Sequence, residues 1–242
     1  MSWETFFWGS DAEAIYRNFH RHRLSFNFVQ VMRDIMSLVL FALIGIAWYF
    51  LGQYTLLFLT NWGIHLAYIS LHLNSMATQD QQNHPGKVKG FLKWRWRLAV
   101  IIFQVALNLE ILLTILFWGL LWKTPEEYTY GHFIAILAHS LPAGFLLIDF
   151  LLQKWVFRFN HIWFIFLTAL IYGIVNFMFV KYTGVYVYPI LKWNDIVSII
   201  LSFLALVMIA AIQGSLYIIS LLNKRRSNKI PLYVPIQLIQ TR

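Results

Sequence analysis

The sequence predicts an all-α, polytopic integral membrane protein with six transmembrane helices and both termini on the inner side. Three observations lead there: charge is scarce, apolar residues gather into runs of membrane-spanning length, and basic residues fall almost entirely on alternate connections. The chain has 242 residues, 60% of them hydrophobic and 12% charged. A soluble domain carries roughly a quarter of its residues as charges, so lipid is the solvent that this composition fits. The formal charge of +9 reads as an orientation signal rather than a nucleic-acid footprint, and no nucleic-acid partner is expected. With no cysteine, a disulfide framework, a thiolate metal site and a cysteine nucleophile are excluded, while the redox compartment stays open.

A membrane helix needs about 20 mostly apolar residues. Residues 35–77 contain no Asp, Glu, Lys or Arg, a run too long for one span and suited to two, with a break near Gly52-Gln53-Tyr54-Thr55. Span one is expected over 35–51 and span two over 54–76. Span three, 98–122, is interrupted by Glu110 alone; span four, 132–152, holds His139 in its outer half and Asp149 towards its end. Spans five, 162–180, and six, 196–222, are free of formal charge.

Basic residues near span ends stay on the side from which insertion occurs. Sixteen of the 19 Lys and Arg lie before span one, after spans two and four, or in the C-terminal tail, whereas Lys123, Lys181 and Lys192 lie on the opposite side. Aromatic belts agree, with Trp94, Trp96 and Trp155 at inner boundaries and Trp48, Trp118, Trp122, Tyr186, Tyr188 and Trp193 at outer ones. The chain then divides into an N-terminal interfacial segment (1–34), a six-helix domain (35–222) and a basic C-terminal tail (223–242). Ser10-Asp11-Ala12-Glu13 reads as a capping box opening a short helix to His22. Trp3, Phe6, Phe7 and Trp8 before it suit a segment among lipid headgroups as well as a solvated tail. No cleavable signal peptide is read, and 77–90 is the candidate flexible loop.

Ionisable groups inside a span are costly in hydrocarbon, usually face the bundle interior and often mark a functional site. They concentrate on span two (Thr60, Asn61, His65, His72), span three (Gln104, Asn108, Glu110) and span four (His132, His139, Asp149), so these spans are expected to line any cavity. At about 100° per residue Asn61, His65 and His72 share one face of span two. Thr60 and His139 lie roughly 9 and 10 Å below the outer boundary at about 1.5 Å per residue, so they meet if their helices are neighbours. Asp149, near the inner boundary, is expected to face headgroups or to pair with Lys154.

Four chemistries fit these groups. Thr60 attacks an acyl carbon with His139 as base, provided the base lies within hydrogen-bond reach; against this, a membrane threonine most often bonds the carbonyl one turn back. His65 and His139 ligate one haem. A metal sits among His65, His72 or His139 with Glu110. A proton or ion path runs through Glu110, His139 and Asp149, although no pair of broken half-helices is evident. The residues alone leave the four open.

Three runs in order bear a likeness to a known family: Phe58-Leu59-Thr60-Asn61-Trp62-Gly63, His139-Ser140-Leu141-Pro142-Ala143-Gly144-Phe145-Leu146-Leu147-Ile148-Asp149, and Gly184-Val185-Tyr186-Val187-Tyr188-Pro189-Ile190-Leu191-Lys192-Trp193. Together they resemble the androgen-induced-gene family and its rolling-stone-like relatives, across spans two to six. The Leu-Thr-Asn-Trp form of the first run resembles the rolling-stone branch. In that family the animal androgen-induced proteins are six-span membrane hydrolases that cleave fatty acid esters of hydroxy fatty acids with an intramembrane threonine and histidine. The resemblance implies that those roles fall on Thr60 and His139.

The expected function is therefore an intramembrane hydrolase of lipid esters. Thr60 forms an acyl intermediate, His139 acts as base and then acid, and Asn61 or nearby backbone amides stabilise the oxyanion. His65 and Glu110 support the site, Glu110 as a partner for His139. No cofactor and no metal are expected; the partners are membrane lipids, the lipid ester and proteins of a membrane complex. The rival expectation is a non-catalytic integral membrane subunit or scaffold of a larger complex. The expected residence is an endomembrane or the plasma membrane rather than the mitochondrial inner membrane.

Overall fold

The apolar runs fold as helices that share one central member. The computed structural model describes residues 3–8, 26–83, 91–152 and 157–229. Among the described residues there are α1 (Trp3–Trp8), α2 (Phe26–Leu51), α3 (Leu59–Asn83), α4 (Phe91–Leu116), α5 (Tyr130–Leu152), α6 (Ile162–Thr183) and α7 (Ile196–Lys229), and no strand. Helices α2 to α7 stand where spans one to six are expected. Five of them, α2, α4, α5, α6 and α7, are long and apolar enough to cross a membrane. The chain is thus a multi-pass helical membrane protein. At 25 residues α3 is also long enough, but Asn61, His65, His72, Asn74 and its polar C-terminal turns leave it less apolar than the others.

The most apolar stretch of α4 is 67% buried, against 17–28% for the other four spans. It packs on α3, α5, α6 and α7, and residues 103–110 are buried on every side. A helix surrounded in this way has its polar side chains met by neighbouring helices, since lipid offers them no partner. Asn108 Nδ2 donates to Gln213 Oε1 (3.1 Å), while Gln213 Nε2 donates to Gln104 Oε1 (3.1 Å) and to the Arg158 carbonyl (2.8 Å). Such amides tie α4 to α7 at about 0.6 kcal/mol per bond.

Helix α2 begins at Phe26 rather than Ile35 and takes Arg33 into the bundle. Arg33 Nε donates to Asp149 Oδ1 at 2.8 Å, with both side chains 1% exposed. Asn74 Nδ2 donates to Asp149 Oδ2 (3.0 Å) and Arg33 Nη1 to Thr78 Oγ1 (2.9 Å). Asp149 therefore joins α2, α3 and α5 and does not face headgroups. A buried carboxylate needs a cation and further donors, and the start of α2 brings Arg33 to it; Lys154 lies outside the described residues.

The aromatic N-terminal residues reach the bundle. Phe7 and Trp8 of α1 are buried against protein, not solvated. Asn160 Nδ2 donates to the Phe6 carbonyl (2.8 Å) and His161 Nε2 to the Phe7 carbonyl (3.1 Å). The Arg97 guanidinium lies 5.0 Å over the Trp8 ring. Glu4 accepts from Lys93 (2.9 Å) and Arg97 (3.0 Å), and these two cations, Lys93 first, hold its carboxyl below the usual range. The helix expected from Ser10 to His22 lies outside the described residues. The 77–90 loop is helical as far as Asn83, its remainder being outside them, and the basic tail continues α7 to Lys229.

Candidate functional site

The entry into α3 places Thr60. Gly52, at φ 52°, turns the chain after α2, a 3-10 turn follows over Gly52–Leu57, and extended Phe58 interrupts the winding before α3 restarts at Leu59. Two side chains of α3 bond back to that turn: Asn61 Nδ2 to the Thr55 carbonyl (3.0 Å) and Trp62 Nε1 to the Leu56 carbonyl (2.7 Å). Thr60 consequently lies in the first turn of a helix, not part-way down a span starting at Tyr54. First-turn amides have no helical carbonyl to bond. The Leu59 N–H donates instead to Tyr188 Oη at 3.0 Å.

Tyr188 arrives on the segment between α6 and α7. Gly184, at φ 69°, ends α6 with its N–H on the Val180 carbonyl (2.9 Å), a left-handed termination suited to glycine. Asp195 caps α7 by accepting from the Ser198 hydroxyl (2.7 Å) and amide (2.9 Å), and these bonds, hydroxyl first, hold its carboxyl below the usual range. Ser198 Oγ in turn accepts from the amides of Lys192 and Trp193, 3.0 Å each. Trp193 Nε1 donates to Asn176 Oδ1 (2.7 Å), Asn176 Nδ2 to Tyr172 Oη (3.3 Å), and Tyr172 Oη to the Leu57 carbonyl (2.9 Å). The hydroxyls of Thr60, Tyr172 and Tyr188 thus gather at the start of α3.

His139 is placed by irregularities in α4 and α5. Pro142 sits inside α5, where its missing N–H and its ring loosen the preceding turn. Thr114 Oγ1 supplies a bond from α4, donating to the His139 carbonyl (2.7 Å) as well as to the Glu110 carbonyl in its own helix (2.8 Å). Beyond Leu116 the helix widens into one π turn, Phe117–Leu121, closed by Trp122 N–H on the Phe117 carbonyl at 2.7 Å; such turns recur at functional sites. Phe117 lies flat on the His139 imidazole, centroids 3.8 Å apart and planes 9° off parallel. His139 Nδ1 is buried without a hydrogen-bond partner.

Thr60 and His139 line the same cavity, of about 610 Å³. Helix α3 contributes Leu59 and Thr60 and α5 only His139; the rest comes from α4, α6, α7, the π turn and the segment bearing Tyr188 and Trp193, with no Asp, Glu, Lys or Arg on the wall. Spans two, three and four all line the cavity, as expected, but spans five and six and the segment between them supply more of its wall. The polar groups of spans two, three and four meet one another between helices, whereas an apolar cavity draws its wall from the apolar helices.

The remaining candidates are placed elsewhere. His65 Nε2 accepts from Trp48 Nε1 (3.2 Å), so Nδ1 bears the proton and donates to the Asn61 carbonyl (2.6 Å). Neither nitrogen is left for haem or metal. His72 is exposed and stacks on Tyr68. Glu110 is fully buried against Gly63, off the cavity wall, with neither carboxyl oxygen hydrogen bonded. No hydrogen bond joins Glu110 to His139 or Thr60 to His139. Among the described residues no three His, Asp or Glu side chains converge as metal ligands. Sequence reasoning assigns Tyr188 to an aromatic belt and gives Tyr172 no role; membership of Tyr188 in the third family-like run is the signal that points to it.

These features define a multi-pass helical membrane protein enclosing an apolar cavity, with hydroxyls at one end and a histidine on its wall. Among curated proteins the chain is similar to Protein rolling stone of Drosophila melanogaster, 26% identical over 159 residues, which are 57% of this chain and 56% of that protein. This likeness agrees with the one that the Leu-Thr-Asn-Trp run suggests, and the chain spans less than two thirds of that relative's length. No protein-family model matches the chain, and no solved structure matches it.

Proposed function

We propose that the protein is an intramembrane hydrolase of lipid esters, of the androgen-induced-gene type, with Thr60 as nucleophile and His139 as general base. The reading is supported by the shared cavity: a hydroxyl and an imidazole line one apolar space in which acyl chains are at home. Thr60 also differs from Thr78, Thr114 and Thr168, whose hydroxyls bond the carbonyl one turn back; Thr60 makes no such bond. In the reaction Thr60 Oγ1 attacks the ester carbonyl as His139 takes its proton. His139 then gives that proton to the departing alcohol, and water attacking the acyl-threonine completes hydrolysis. Catalytic hydrogen bonds that are long without substrate commonly tighten when it binds.

Thr60→Ala and His139→Ala, purified in lipid nanodiscs and assayed with a long-chain ester, are each expected to lose turnover by at least about a hundredfold. Their unfolding temperatures should stay near that of the parent protein. Turnover preserved in either variant overturns the assignment. The non-catalytic reading, a subunit or scaffold, draws on one observation: His139 Nδ1 has no group to orient it, unlike the base of a hydrolytic triad. Isolation in mild detergent with a stoichiometric partner, and without covalent labelling by an ester-mimicking probe, would favour that reading.

The same proposal has six spans, α3 included, with both termini inside and residence in an endomembrane or the plasma membrane. The chain has no cysteine, so single cysteines report sidedness cleanly. In sealed vesicles an impermeant maleimide should label only one of Gln53→Cys and Asn83→Cys, which flank α3 and are both exposed, until the membrane is opened. Labelling of both from one side overturns the six-span topology.

A further inference from the structure

Transmembrane helices that carry small residues on facing sides ordinarily close on each other. Helices α6 and α7 carry such residues where both line the cavity, Ala169 and Gly173 on α6 and Ser202 and Ala205 on α7. Yet a Cβ placed on Gly173 would meet nothing within 4 Å, so no neighbouring side chain fills the space beside it. That space continues to the outside of the bundle. Leu170, Ile174, Phe177 and Leu206 belong to the cavity wall and are at the same time 60%, 54%, 38% and 38% exposed. Side chains that face both ways form a rim, three of them along one edge of α6 and one on α7.

Depth decides what lies beyond the rim. At about 1.5 Å per residue, the α6 part of the rim lies roughly 9–20 Å from Thr183 and Leu206 roughly 15 Å from Ile196. In a hydrocarbon core about 30 Å thick, those levels meet acyl chains and not headgroups. Nothing polar stands in the way: the Ser202 hydroxyl donates to the Ser198 carbonyl of its own helix (2.8 Å), and no charged side chain lines the wall. We propose that the cavity opens sideways into the bilayer between α6 and α7, through a passage kept clear by Gly173 and Ala205, and that an acyl chain of a bilayer lipid enters there. As a route to the proposed ester site the passage rests on that reading; as an opening to lipid it does not depend on turnover.

The test uses the full chain in lipid nanodiscs doped with a phospholipid that carries a diazirine at the end of one acyl chain. After illumination of the parent protein, label is expected on the inner wall, at Leu112, Leu116 and Phe166, which pack in the apolar cluster behind the cavity. Label is also expected on Phe203 of α7, which is 65% exposed and meets lipid directly. Gly173→Trp should strip the inner-wall label and keep that on Phe203, with an unfolding temperature near the parent's. Should that variant fail to fold, Ala205→Phe fills the same passage from α7. Leu120→Trp should leave the inner label unchanged, because Leu120, although exposed on the wall, lies in the π turn and not between α6 and α7. An unlabelled inner wall on the parent protein, or one still labelled once the passage is filled, overturns the route, as does label lost in Leu120→Trp. Ester turnover beside an unlabelled inner wall removes the passage and leaves the hydrolase, whereas a labelled wall without turnover removes the hydrolase alone.

Discussion

Asp149→Ala is expected to lower the unfolding free energy by about 3–5 kcal/mol, because it strands a buried cation. The Arg33 guanidinium and the Asp149 carboxylate are each 1% exposed and 2.8 Å apart, and Arg33 Nη2 already has no partner. Without the carboxylate, the charge keeps only the Thr78 hydroxyl and the Asn74 carbonyl. A pair enclosed in this way holds fold specificity more than net stability, since matched apolar residues often replace such pairs without loss. The double variant Arg33→Met with Asp149→Leu should therefore recover most of what Asp149→Ala loses. Denaturation in detergent would measure both. An Asp149→Ala protein within about 1 kcal/mol of its parent would show that the pair does not clamp α2, α3 and α5.

Gly63→Ala is expected to cost about 3 kcal/mol by overpacking, at a place where α3 and α4 touch without room for a methyl group. A Cβ there would meet Glu110 Oε1 well inside contact distance, with Glu110 Cδ and Leu113 Cδ1 at 3.0 Å. Glu110 is wholly buried, so its carboxyl can make way for the methyl only by moving within a packed interior. Its carboxyl oxygens have no hydrogen-bond partner, so Glu110→Ala alone trades a small void for relief of an unsatisfied group. Combining the two changes places the new methyl where the carboxyl was. The double variant should stand within about 1 kcal/mol of the parent, a strongly non-additive result for residues in contact. Additive losses, or a neutral Gly63→Ala, would falsify the close approach.

The helices of spans one and three to six were legible because a charge-free run of membrane length has few other uses. Where the reading of α2 stopped short, at Ile35, the obstacle was Arg33: its charge marks a boundary in sequence and is matched only by a residue 116 positions away. Span two was placed too early because nothing local shows that Asn61 and Trp62 turn their side chains back on Thr55 and Leu56. That capping fixes the 3-10 turn and puts Thr60 at a helix start. For the site, the likeness to known proteins pointed to Thr60 and His139, and both line one cavity. The helical wheel favoured His65 and His72 instead, because polarity on a membrane helix marks contact with other helices as readily as a cavity. Tyr188 and Tyr172 are 129 and 115 residues from the backbone groups they bond, and no periodicity records so distant a meeting.

The docking of α1 sets an order of events during synthesis. Residues 6 and 7 bond Asn160 and His161, 154 positions further on. A ribosome adding about 5–20 residues per second leaves Phe7 without its seat for roughly 8–30 seconds, whereas Trp8 meets Trp96 and Arg97, made earlier. Phe7 is made long before the residues that seat it, so a bulky fusion ahead of Trp3 should burden assembly more than the same fusion behind Lys229.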